Sequence, residues 1–211
     1  MTSLFLIRHG ENSYVGKKLA GWTAGVHLND HGRKQAEALA ERLAPVRFDA
    51  LYSSPLERAR ETAEPLARAK GLTIQICEDV GEVRYGAWTG KSLKALTRTK
   101  LWRVVQFNPS NMRFPDGEAL RETQLRAVGA LEAICREHPK GTVAVFSHGD
   151  LIRLSVAHYM GLALDLFQRI QVGTASVSVV HVGPGTARLV RLNDTGPWEA
   201  PPARRRARRR K

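Results

Sequence analysis

Residues 4–10 read Leu4-Phe5-Leu6-Ile7-Arg8-His9-Gly10, a continuous apolar run that stops on a guanidinium and an imidazole. Four apolar residues with no polar alternation suit a strand buried on both faces, as in the parallel sheet of an α/β protein. Such a strand delivers Arg8 and His9 to the loop at its carboxyl end, where open α/β sheets bind ligands. An imidazole attacks phosphorus when one ring nitrogen is unprotonated and fixed donors neutralise the phosphate, and an arginine fork supplies those donors bidentately. Gly10 is expected to let the backbone turn and come close to the anion. Alone, the tripeptide has a plainer reading: a strand end with a salt-bridged arginine and a satisfied histidine.

Further along, strand-like runs alternate with segments of helical period. Strands are expected at 4–8, 50–53, 72–77 and 142–146, with a final pair at 175–182 and 188–192 around Gly183-Pro184-Gly185. Helices are expected at 32–44 behind an Asn29/Asp30 cap, at 56–70 closing on Gly71, and at 92–106, 118–137 and 150–160. Asn108, Pro109, Pro115, Asp116 and Gly117 break the chain between the third and fourth helices. This order predicts a three-layer α/β/α sandwich with a mostly parallel central sheet over residues 1–195, carrying a short helical lid at about 91–117.

Three strand ends carry one kind of chemistry. After the first come Arg8, His9 and Gly10; after the second, Ser53, Ser54 and Pro55, with Arg58 one helical turn on; after the run at 142–146, Ser147, His148 and Gly149. Two arginines and two histidines would then converge in a phosphate pocket built without metal. Each has a plainer alternative: Arg58 as an exposed helix residue paired with Glu57 or Glu61, His148 as a core histidine bonded to a carbonyl. A serine triad from Ser147, His148 and Asp150 is disfavoured, because neighbours on one turn do not meet its geometry and no GxSxG elbow is present. His9, His27 and His31 lack an HExxH or carboxylate pattern, so no metal is expected.

A chain of 211 residues fits one domain with a full core. No apolar stretch approaches the roughly 20 residues that cross a bilayer, and the first run is too short for a signal peptide, so a cytoplasmic location with no membrane partner is expected. Cys77 and Cys135 sit in apolar contexts without a CxxC partner and read as core thiols. The net charge of +13 is uneven: residues 204–211 contribute seven positive charges and leave +6 for residues 1–203. Residues 196–211 read as a disordered Pro/Arg-rich basic tail. It is either a weak, salt-sensitive clamp for nucleic acid or another polyanion, or a solubilising end.

Taken together, these residues resemble the histidine phosphatase superfamily, which includes the cofactor-dependent phosphoglycerate mutases and many small phosphatases. The resemblance runs from residue 4 to about residue 193, through LIRHGEN at 6–12, HLNDHGRKQAEALAERL at 27–43, SSPLERARETA at 53–63, EVRYGAWTG at 82–90, FPDGEAL at 114–120 and VFSHGD at 145–150. With LDLFQRI at 164–170, the pattern most resembles a group of actinobacterial-type proteins described as phosphomutases. The resemblance implies that His9 is the nucleophile and becomes transiently phosphorylated, while Arg8, Arg58, His148 and Gly149 surround the phosphoryl group. Glu82 matches the proton donor, preferred over Glu78 and Asp79 by its place in the motif; expelling an alkoxide requires such an acid.

Asn12 stands where many relatives have Thr and is expected to offer the phosphate a substitute hydrogen bond. Asp150 stands where relatives often have a small residue, and its charge is unfavourable to a dianion unless it points away or caps the following helix. Substrate choice is expected from segment 91–117 and from Tyr14, Trp22, Tyr85 and Trp88, which equally suit packing, as do Trp102 and Phe107. The implied activity is metal-independent phosphomonoester hydrolysis of a small phosphorylated metabolite, with no cofactor; the short lid favours hydrolysis. The alternatives are a phosphoglycerate-type mutase needing a bisphosphorylated primer, and a nucleic-acid or polyanion binder acting through the tail. A homodimer is common among relatives, and no patch here specifies one.

Overall fold

Six strands form one mixed sheet in the order β3-β2-β4-β1-β5-β6 in the computed structural model, which describes residues 1–198. β1 (Thr2–Arg8), β2 (Ala50–Ser53), β3 (Ile74–Ile76) and β4 (Thr142–Ser147) run parallel. β5 (Val177–Gly183) pairs antiparallel with β1, and β6 (Thr186–Asp194) antiparallel with β5. The apolar run of β1 is buried on both faces, and its alternation sorts the core. Leu4 and Leu6 pack with Val143, Val145, Leu131 and Leu154 under α5 (Leu120–Glu137) and α6 (Gly149–Tyr159). Phe5 and Ile7 pack with Leu39, Leu43 and Leu66 under α1 (Asp30–Arg42) and α2 (Glu57–Lys70). Each such side chain taken from water stabilises the fold by about 1.5–3 kcal/mol.

Local chemistry sets the element ends. Asn29 Oδ1 accepts from the Gly32 amide (2.7 Å), so α1 begins at Asp30, two residues before the expected start. Gly71 ends α2 in the left-handed region at φ +65°. β3 is shorter than expected because it lies at the sheet edge and pairs with β2 alone over three residues.

The helix expected at 92–106 is instead two, α3 (Leu93–Leu96) and α4 (Lys100–Phe107). Thr97 and Thr99 hydroxyls donate to the Lys94 and Leu96 carbonyls, and Thr99 then caps α4 by accepting from the Trp102 amide, which turns the chain between the two. Trp102 packs on Trp88 (centroids 6.3 Å apart), but Phe107, expected to pack, is 78% exposed. Cys77 and Cys135 are free and half-buried at the margin of the core rather than within it. Burial pushes the Cys135 thiol up to about 11.

The domain extends past its expected limit. Trp198 packs on Phe5 (5.0 Å between centroids) and under the Arg191 guanidinium, and Arg42 donates to the Gly196 carbonyl, so residues 196–198 belong to the fold rather than to the tail. The rest of the expected tail, from residue 199, lies outside the described residues. Among those described, no helix is long and apolar enough to cross a membrane.

Candidate active site

The parallel strands β1, β2 and β4 end side by side, and the loops and helix starts beyond those ends close a cavity of about 220 Å³. Arg8, His9, Asn12, Arg58, Glu82, Tyr85 and Gly149 all line it. His9 comes directly after β1, fixed by its amide on the Ser147 carbonyl (3.0 Å). Its Nδ1 donates to the Gly10 carbonyl oxygen (2.7 Å), an acceptor only, so Nε2 carries the free lone pair. Burial first, then the charges of Arg58 and Arg8, hold the imidazole well below its ordinary pKa, and the ring is neutral at pH 7.

Gly10 does not act as expected. It is absent from the cavity wall, and a Cβ there would lie 2.7 Å from the Gly32 carbonyl oxygen; one on Gly32 would lie 2.0 Å from that of Glu11. Both glycines let the loop after β1 and the first turn of α1 share one space. The Gly10 amide donates to Thr62 Oγ1 (2.9 Å), whose hydroxyl donates to the Arg58 carbonyl, tying the loop to α2.

Arg58 is fully buried, which excludes the exposed-helix reading. Its Nη2 donates to the Gly21 carbonyl (2.8 Å), while Nε and Nη1 have no partner among the described residues. Arg8 Nη1 donates to the Val172 carbonyl (2.7 Å) and its Nε is likewise unpaired. A Cβ on Gly149 would sit 3.3 Å from Arg8 Nε, so this glycine admits the guanidinium against the start of α6. Asn12 accepts from the Tyr14 amide (2.9 Å) and leaves Nδ2 unpaired. His148, also fully buried, meets Ser54 Oγ through Nε2 (2.8 Å) and leaves Nδ1 unpaired, 3.9 Å from Glu82 Oε2. Burial and then Arg58 hold its pKa well down. The His9 and His148 ring centroids are 5.2 Å apart.

Buried donors without partners are costly, and those of Arg8, Arg58 and Asn12 line one cavity and make it an anion site, while His148 lies off the cavity wall beside His9. Glu82 stands among them. Burial pushes its carboxyl up, Asp150 pushes it further, and Arg58, the Val83 amide and Arg8 pull it back, leaving it at about 7. Glu78 pairs with Arg84 and lies off the cavity.

Of the aromatic candidates, Tyr85 and Tyr14 line the cavity and Trp22 and Trp88 do not. Trp22 is a scaffold residue: its indole donates to the Glu82 carbonyl (2.6 Å) and its ring lies under the Arg84 guanidinium. Trp88 is buried against Phe114 and Trp102. Segment 91–117 contributes only Leu93, because α3 and α4 turn away to pack on the core; residues 14–20 form the wall instead. Asp150 lines the cavity but is engaged, accepting from the Tyr85 hydroxyl (2.8 Å) and from Arg153 (3.0 Å). Arg126 was not legible as a site residue: from α5 it donates to the Asp79, Gly81 and Glu82 carbonyls and fixes the Glu82 loop. An arginine on a half-exposed helix face carries no signal of this. His27 pairs with Glu61, away from His9.

The chain has relatives in sequence and in fold. The chain is 30% identical over 197 residues to phosphoserine phosphatase 1 of Hydrogenobacter thermophilus, covering 92% of this chain and 93% of that one. It is 30% identical over 183 residues to a probable phosphoglycerate mutase of Escherichia coli, covering 85% of each. Among solved structures it superposes on YhfR of Bacillus stearothermophilus with a TM-score of 0.87 and 28% identity, covering 93% of this chain and 98% of that one. A variant of the phosphoserine phosphatase of Entamoeba histolytica in complex with phosphoserine gives 0.82 and 26%, covering 92% and 97%. The family model of the histidine phosphatase superfamily (branch 1) matches residues 4–195, and the chain belongs to that superfamily.

Proposed function

We propose that this protein hydrolyses small phosphate monoesters through a phosphohistidine at His9, with Glu82 as the proton donor and acceptor. One observation carries the reading: unpaired buried donors from Arg8, Arg58 and Asn12 line one cavity with a neutral imidazole whose Nε2 lone pair is free, beside His148 and next to a carboxyl poised at about 7. A tetrahedral dianion fits those donors, and their charge stabilises the equatorial oxygens during an in-line displacement.

In the first step the His9 Nε2 lone pair forms the N–P bond while the ester P–O bond breaks, and the departing oxygen takes the Glu82 proton. In the second, water attacks phosphorus, Glu82 takes a proton from it, and the N–P bond breaks to release phosphate. Two guanidiniums supply the positive charge, so the reaction needs neither metal nor cofactor. A mutase would return the phosphoryl group to a second hydroxyl and keep water out. The wall at 14–20 with Leu93 alone from segment 91–117 favours hydrolysis.

The test is phosphate release from a panel of phosphorylated metabolites and an aryl phosphate, in EDTA, for wild type and His9→Ala. Release that survives EDTA and falls by at least about a thousandfold in the variant is expected. Conversion of 3-phosphoglycerate to 2-phosphoglycerate that depends on a bisphosphorylated primer, with little free phosphate, would instead establish the mutase.

A further inference from the structure

The cavity has a second positive corner, beyond the phosphoryl donors. Arg153 sits one turn along α6 from Gly149, and helical side chains lean toward the N-terminus, so its guanidinium returns to the cavity wall. Its one hydrogen bond among the described residues is from Nη1 to Asp150 Oδ1 (3.0 Å), and its Nε is buried without a partner. Asp150 is held in turn by the hydroxyl of Tyr85, a buried ring packed edge-on against Phe114. The fork is therefore braced from behind and leaves donors free. Lys18 lines the same cavity, its ammonium 5.3 Å from the Tyr14 ring centroid.

Charge decides which ligand this corner suits. Arg153 and Lys18 against Asp150 leave one net positive charge, the match for a monoanion, whereas the Arg8–Arg58 pair serves a dianion. The two corners are close: burial and the charge of Arg153 hold the Arg8 guanidinium below its ordinary value, against the pull of Glu82. We propose that Arg153, assisted by Lys18, binds a carboxylate joined by a short spacer to the phosphate ester, making small phosphocarboxylic acids the preferred substrates. This rests on the hydrolase reading above and adds to it a residue that chooses among esters.

A matched pair tests it, since 3-phosphoglycerate and glycerol 3-phosphate differ only by carboxylate against hydroxymethyl. Wild type is expected to favour 3-phosphoglycerate in kcat/KM. Arg153→Met should lower that kcat/KM roughly tenfold to hundredfold, chiefly through KM, while glycerol 3-phosphate stays within about twofold; Arg153→Lys should fall between. No preference in wild type, or an equal loss on both esters as a merely structural Asp150–Arg153 pair would give, overturns the proposal. A second measurement needs no turnover: calorimetric titration of wild type and Arg153→Met with 3-phosphonopropionate and propylphosphonate. Tighter binding of the carboxylated compound, lost in Arg153→Met, supports the carboxylate site even if no ester is hydrolysed, in which case only the hydrolase reading falls. Equal affinities, or no binding of either, overturn the site.

Discussion

With its carboxyl at about 7, Glu82 divides between acid and base near neutrality, and that division sets the expected pH dependence. Donation to an alkoxide requires the protonated form, so kcat/KM for an alkyl phosphate should fall as pH rises through about 7. His9 imposes no matching loss just below neutrality, because its pKa lies well under the ordinary imidazole value. The charged groups facing Glu82 are Asp150, Arg58 and Arg8, with the neutral His148 beside it. Asp150→Asn removes the one negative charge opposing ionisation, so the carboxyl pKa drops and the basic limb moves to lower pH; profiles of both proteins from pH 5 to 9 check the sign. An aryl phosphate, whose leaving oxygen needs little protonation, should show a weaker limb in each. Strand ends were enough to bring Arg8, His9, Arg58 and His148 to one edge of the sheet, whereas Glu82 was picked out only by the family resemblance. Trp22 and Trp88 stayed open between ligand contact and packing because an indole near a site reads the same whether it touches ligand or holds a loop. Lys18, Arg153 and Arg126 could not be found at all: as isolated basic residues on a loop or helix they match any solvated face.

Elements met expectation where one local signal dominated. The Asn29 cap, the Gly71 terminus and the doubly buried β1 each arise from a few adjacent residues. Segment 91–117 did not, since its helical period runs unbroken through Thr97 and Thr99, and only the hydroxyl bonds of the folded chain reveal the turn. The same limit applied to Gly10, whose neighbour Gly32 lies on another element. That contact makes a prediction about how α1 and the loop after β1 fit together. Gly32→Ala would drive a methyl into the Glu11 carbonyl and should destabilise the protein by about 1–3 kcal/mol or more, with weakened phosphate affinity because the loop carrying His9 and Asn12 must move. Gly161→Ala serves as the control: it also replaces a glycine at the end of a helix, but no atom lies within 4 Å of the added methyl, so its cost is backbone strain alone and phosphate affinity stays unchanged. Denaturant melts with phosphate titrations separate the two.

The whole molecule holds a charged cluster that does not favour its own folding. Glu82 ionises near 4.5 in an unfolded chain and at about 7 in the folded one. Below pH 4.5 it is neutral in both states; as pH rises to about 7 the unfolded state alone ionises and stability falls, and the loss is complete above that. Glu82→Gln should therefore match wild type at pH 4 and exceed it at pH 8 by about 3 kcal/mol, read as a higher midpoint in urea, while losing activity. The class of fold was legible from alternating strands and helices, but the strand order was not, because no local pattern records which strands become neighbours. That order has a consequence during synthesis. β4 lies between β1 and β2, so the two earliest strands never pair with each other. Once the first 140 residues have been made, β1, which leads into His9, has neither of its neighbours, because β4 and β5 both follow in the chain. The site is expected to come together only when β4, with His148 just beyond its end, slots between β1 and β2.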